Sequence, residues 1–114
     1  MNAREILEQL RELTAEGRKG VSVLYEVEEA LAHAEHELDR VESLAFLEAE
    51  GSVAERNVRA RLAASDARLA RDLAKAQVSR VRMKLKLIES EIMASATMSK
   101  LLQAEMRLEG NAGV

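Results

Sequence analysis

The chain contains no cysteine, no proline and no tryptophan, and it has one tyrosine (Tyr25) and one phenylalanine (Phe46). Without cysteine there is no disulfide scaffold, no cysteine-based zinc site and no thiol nucleophile. The shortage of aromatics argues against β-sandwiches and barrels, which draw on β-branched and aromatic residues and frequent turn signals. No run of about 18 apolar residues exists, so no membrane span is expected. The opening MNAREILEQLREL is charged throughout and lacks the apolar region of a signal peptide. Phosphate-binding GxxxxGK[ST], GxSxG and HExxH motifs are missing, as are the paired ExxH motifs of carboxylate-bridged bundles. His33 and His36 stand near Glu29 and Glu37 and read as solvated side chains on an acidic face. These absences leave no catalytic, metal-binding or cofactor-binding residue to nominate. The expectation is a non-enzymatic, soluble, intracellular protein.

What is present points to helices. Of 114 residues, enough for one domain, 32% are charged and 47% hydrophobic. The apolar share leans on alanine and leucine, the composition of long helices and coiled coils. The net charge of −3 conceals a segregation. Residues 26–50 hold nine acids and one base (Arg40), whereas residues 56–86 hold ten bases and two acids (Asp66 and Asp72). Halves this unequal predict an acidic face and a basic one, the latter suited to a polyanion or an acidic partner.

Apolar periodicity and punctuation place helices at about 3–15, 21–49, 53–64 and 65–108, with a frayed tail over 109–114. Asn2 and Glu5 form a capping-box pattern at the first, and Ile6, Leu7, Leu10 and Leu13 give its stripe. Gly17-Arg18-Lys19-Gly20 reads as a break, because two glycines make a poor helix interior. Leu24, Val27, Leu31, Ala34, Leu38, Val41 and Ala45 then alternate by threes and fours, a seam facing another helix. Gly51 suits the position past a helix end, and Ser52 with Glu55 opens the next helix. An interruption is expected near Ser65-Asp66, either of which can cap a restart. Val78, Val81, Leu85, Ile88 and Ile92 continue a seam through Ser95 and Ser99, where small residues allow a tight crossing or a bend.

The expected fold is therefore all-α: a single helical domain over 1–114, a long antiparallel helical hairpin with a short N-terminal helix. A helix over 65–108 would be about 66 Å long, against a radius of gyration of about 13 Å for a compact chain of this size. Its second face, with Leu87, Ala94, Met98, Leu101 and Leu108, is apolar too. Both points predict a homo-oligomer, a helical bundle or ring.

The ten bases are Arg56, Arg59, Arg61, Arg68, Arg71, Lys75, Arg80, Arg82, Lys84 and Lys86. In one reading they lie against the acidic helix of the same hairpin, where flanking charge pairs set orientation. In the other, several point away and hold nucleic-acid phosphates. Arg61, Arg68, Arg71 and Lys75 share a helix face, while Arg80, Arg82, Lys84 and Lys86 spread around the helix, so one acidic helix cannot cover all ten. With two aromatics, base stacking contributes little, and any DNA binding is expected to be electrostatic and sequence-tolerant.

The run FLEAEGSVAERNVRARLAASDARLARDLAKA from Phe46 to Ala76, followed by KLKLIESEI and LLQAEMRL, resembles a family of small helical bacteriophage proteins. These are grouped with the UvsY-type recombination mediators. The shared pattern is a long helix ending in an alanine-rich LEAEG-like turn, a short basic segment, and a long helix closing on acidic-Met-Arg-Leu, here Glu105-Met106-Arg107-Leu108. The likeness covers about residues 24–108. It implies a ring-like homo-oligomer that binds single-stranded DNA, helps displace the single-strand-binding protein and loads a RecA-like recombinase in the host cytoplasm. Arg56 matches the family's basic position most clearly, and Arg59, Arg61, Arg68 and Arg71 fit its basic segment. The alternative expectation is a structural helical-hairpin module that assembles without nucleic acid.

Overall fold

The computed structural model describes residues 2–112, with side chains to Gly110. The described residues are helical apart from Asn2, the turn at 49–52 and a single residue at Ala64. The helices are α1 (Ala3–Glu48), α2 (Val53–Ala63) and α3 (Ser65–Ala112). They form two compact units, one from the residues up to Ser22 together with those from Arg82 onward, the other from Val23–Val81.

α1 opens as its sequence dictates. Asn2 Oδ1 accepts from the Glu5 amide at 2.9 Å, and the Asn2 amide donates to Glu5 Oε2 at 3.2 Å. Two of the helix's orphan donors are thereby satisfied reciprocally. The break expected at Gly17–Gly20 does not occur, and α1 runs through it without interruption. The reason lies in the seam. Ile6, Leu10, Leu13, Gly17, Gly20, Leu24 and Val27 alternate by fours and threes without a phase change, and none is fully exposed. The glycines thus fall on the buried stripe, where a missing Cβ allows close approach. A Cβ on Gly20 would stand 2.5 Å from Leu85 Cδ2 of α3, and one on Gly17 would stand 3.7 Å from Ile88 Cγ2. The second distance is ordinary van der Waals contact. Gly17→Ala is therefore expected to raise stability by about 0.5–1 kcal/mol through helix propensity alone, measured as a rise in the urea midpoint.

Within the first unit the buried apolar side chains are Ile6, Leu13 and Ile88, joined by Ser95. Ser95 and Ser99 sit inside an unbroken α3, so the small residues there belong to packing and not to an interruption. α3 also continues past the expected end at Leu108 to Ala112. A Cβ on Gly110 would meet nothing within 4 Å, so this glycine carries only its propensity cost. The remainder of the expected tail, Gly113 and Val114, lies outside the described residues.

In the second unit α1 ends at Glu48, one residue short of expectation. Gly51 has φ +111°, a conformation that side chains with a Cβ rarely adopt. Ser52 then caps α2, its hydroxyl accepting from the Glu55 amide at 3.2 Å. Leu38, Ala60, Ala64 and Val78 are the buried apolar residues.

The interruption expected near Ser65-Asp66 exists, but Ala64 holds the cap position with φ −94° and ψ 7°. Its carbonyl accepts from the Arg68 amide at 2.9 Å and its amide donates to Ala60 O at 3.0 Å, so backbone pairing carries across the bend. Ser65 and Asp66 occupy the first turn of α3 instead of capping it, and the Asp66 carboxylate there complements the helix dipole. The cause is a change of spacing. Residues 56, 60, 64 and 67 are separated by four, four and three, an added step that swings the buried stripe around the helix axis.

Candidate nucleic-acid interface

The ten bases divide by what they touch. Arg56 is part of the turn. Its Nε donates to the Phe46 carbonyl at 3.1 Å, and its guanidinium carbon lies 4.3 Å from the Phe46 ring centroid. That hydrogen bond and the cation–π contact fasten the start of α2 to the end of α1. Phe46 and Arg56 stand five residues to either side of Gly51, a symmetric placement that is the sequence signal for this clasp. Arg59 also serves the turn, with Nη1 donating to Glu50 O at 3.2 Å.

On α3, Arg68 Nη2 lies 3.7 Å from Glu42 Oε2 of α1, both side chains partly covered. Arg71 Nε donates to its neighbour Asp72 at 2.7 Å. Arg82 is exposed and likewise engaged. The remaining five, Arg61, Lys75, Arg80, Lys84 and Lys86, are exposed and form no ion pair or hydrogen bond among the described residues. Some bases are thus consumed locally and others face solvent.

Heptad spacing places one row of bases beside the acidic helix. Arg61, Arg68, Lys75 and Arg82 recur every seven residues, as do Glu28, Glu35 and Glu42 on α1. Such positions flank a packed seam and meet across it, as Arg68 and Glu42 do. Arg80 and Lys84 lie off that row, one turn apart on α3, with no acid three or four residues from either.

The acidic stretch of α1 spends some charge on itself. Arg40 donates to Glu37 through Nε at 3.0 Å and Nη2 at 2.6 Å. This hydrogen bonding holds the Glu37 carboxyl below the usual carboxylate range and raises Arg40 above its ordinary value. The pair is about half exposed and adds little stability. His33 Nε2 stands 3.7 Å from Glu29 Oε1 in open solvent. Among the described residues no group of three His, Cys, Asp or Glu side chains comes close enough to hold a metal ion, and no helix is long and apolar enough to cross a membrane.

A hollow in the second unit, about 530 Å³ and open to solvent, is lined by Asp39, Glu42, Ser43, Phe46, Leu47, Asn57 and Ala60. Its two carboxylates, Asp39 and Glu42, make it a poor seat for an anion. Comparison of the chain with family models, curated proteins and solved structures yields no match.

Proposed function

We propose that the protein is a non-enzymatic, oligomeric single-stranded-DNA-binding recombination mediator that helps load a RecA-like recombinase, working alongside a single-strand-binding protein in the host cytoplasm. The observation that carries this reading is the set of exposed cations without partners, above all Arg61, Lys75, Arg80 and Lys84. Cations held by no acid are the groups that can neutralise phosphates and release counterions. The aromatic content of 2% fits a surface that tracks backbone without stacking on bases. A mediator that must act on any sequence needs such a surface, and repeating a modest patch around an oligomer adds weak contacts through multivalency.

The reading includes an antiparallel pairing of α1 with α2 and α3. It is supported by contacts in which the partner number falls as the α1 number rises: Gly17 with Ile88 and Gly20 with Leu85 in the first unit. The turn at Gly51 and the short connection it makes agree with neighbouring antiparallel helices.

The test is fluorescence anisotropy of labelled oligo-dT across a salt series. For single strands the slope of log K against log salt is about −0.7 per neutralised phosphate. A triple Arg61→Glu, Arg80→Glu, Lys84→Glu variant is expected to flatten the slope by about 2 and to keep wild-type helicity by circular dichroism. Absence of binding at low salt overturns the DNA reading. In that event the structural assembly module stands, and the observation favouring it is the row of exposed apolar side chains on α3.

A further inference from the structure

The exposed face of α3 in the first unit carries its own heptad pattern. Leu87, Ala94, Leu101 and Leu108 recur every seven residues, with Ser90 and Thr97 interleaved at the three–four spacing. All six are exposed, the leucines by 60% or more. The seam that packs inward runs instead through Leu85, Ile88, Ile92 and Ser95, two residues out of phase and so on the opposite side of the helix. Thr97 turns its hydroxyl back to Met93 O at 3.0 Å, so covering this face would bury its methyl group without stranding a donor.

We infer that this face, from Met83 to Leu108, binds the same face of a second copy of the chain as a parallel, in-register coiled coil. Charge decides both partner and direction. In a parallel pair, each residue preceding one seam position meets the residue five further along in the other copy. Those partners are Lys86 with Glu91, Met93 with Met98 and Lys100 with Glu105, two opposite-charge pairs flanking an apolar one. An antiparallel pair instead sets the row holding Lys86, Lys100 and Arg107 against itself, base against base. A slip of one heptad is also disfavoured, because it places Lys86 opposite Met98 and Met93 opposite Glu105. Arg80, which falls on the same seam, ends it at Met83 and itself lies beyond the assembly. The small residues at Ser90, Ala94 and Thr97 let the two helices approach closely.

The inference rests on the oligomeric part of the proposed function and not on its DNA-binding part. Sedimentation equilibrium of the full chain is to compare the wild type with two charge-reversed variants, Lys86→Glu/Lys100→Glu and Glu91→Lys/Glu105→Lys. Each variant alone is expected to weaken self-association on the order of tenfold, since both charged flanking pairs become like-charged. An equimolar mixture is expected to restore it, because each variant then supplies the charge the other lacks. Direction is read by oxidative cross-linking, for which the absence of native cysteine is convenient. Ser90→Cys and Thr97→Cys, made separately, should each link to the same residue of a second copy. A monomeric wild type at 100 μM (on the order of 10⁻⁴ M, an affinity weaker than about −5.5 kcal/mol) overturns the inference, as do variants that associate like the wild type. Cross-linking at only one of the two cysteine positions overturns the parallel register. Oligo-dT titration of the same samples separates the readings: assembly without DNA binding removes the DNA-binding reading and leaves this inference, whereas DNA binding by a monomer removes this inference and the oligomeric part of that reading but leaves its DNA-binding part.

Discussion

Ile88→Ala is expected to lower the stability of the protein by about 2–5 kcal/mol, read as a drop in the urea unfolding midpoint. Ile88 is 5% exposed, and its Cγ2 faces Gly17 of α1, 3.7 Å from where a Cβ there would stand. Across that gap α1 offers no side chain, so the cavity left by truncation has little beside it that can collapse inward. A loss of this size is a large part of the total, because domains are held by about 5–15 kcal/mol. Leu87, one residue away, is 60% exposed and supplies the control. Leu87→Ala should leave the midpoint of the dilute protein within about 0.5 kcal/mol of wild type while weakening the association of copies. Equal midpoint losses for the two substitutions would contradict the assignment of inner and outer seams on α3.

Gly20→Leu carries the second large effect. Replacing glycine in a helix returns about 0.8–1.0 kcal/mol of propensity, and on an open face leucine would therefore stabilise. Here the Cβ alone comes within 2.5 Å of Leu85 Cδ2 and 3.4 Å of its Cγ. Leu85 has to leave its rotamer or the helices have to part, a strain of about 1–3 kcal/mol, so the net change is destabilising. Pairing it with Leu85→Ala moves the bulk from α3 to α1 at nearly constant volume. That double variant is expected to recover most of the loss, with a coupling energy of about 1–2 kcal/mol in thermal or urea melts. Additive losses would mean that Gly20 and Leu85 do not share one space.

The places where sequence and structure part company have specific causes. Asn2 with Glu5 and Ser52 with Glu55 were legible because capping is local: the partner of each orphan amide lies within three residues. Gly51 was legible for the same reason. The glycines at 17 and 20 were not, because read alone they look like punctuation. Only the uninterrupted alternation from Ile6 through Val27 shows that they belong to the stripe, and that alternation becomes visible when the glycines are counted as seam positions. The bend at Ala64 was found to within a residue, yet its cap was assigned to the wrong side chains. Serine and aspartate advertise capping, whereas the four–four–three spacing that moves the stripe leaves its mark on alanines.

Among the bases, charge counting identified a surplus but could not say which members were spent. Arg56, the strongest match to the resembled family, is occupied by Phe46 on the far side of the turn, a contact set by tertiary geometry. Arg61, Arg80 and Lys84 emerge as unpaired only once the partners of Arg68 and Arg71 are located.

The paired glycines give α1 a conditional character. An isolated peptide covering them would lose roughly 2 kcal/mol of helical preference relative to alanines, more than the marginal stability of a short helix in water. The segment is helical because α3 lies against it. Secondary structure and tertiary contact therefore form and dissolve as one event at Gly17–Gly20: when Leu85 and Ile88 withdraw, the helix has nothing of its own to keep it wound. The glycine layer against Leu85 and Ile88 acts in this way as a fuse, set where α1 leans on α3 for its helicity.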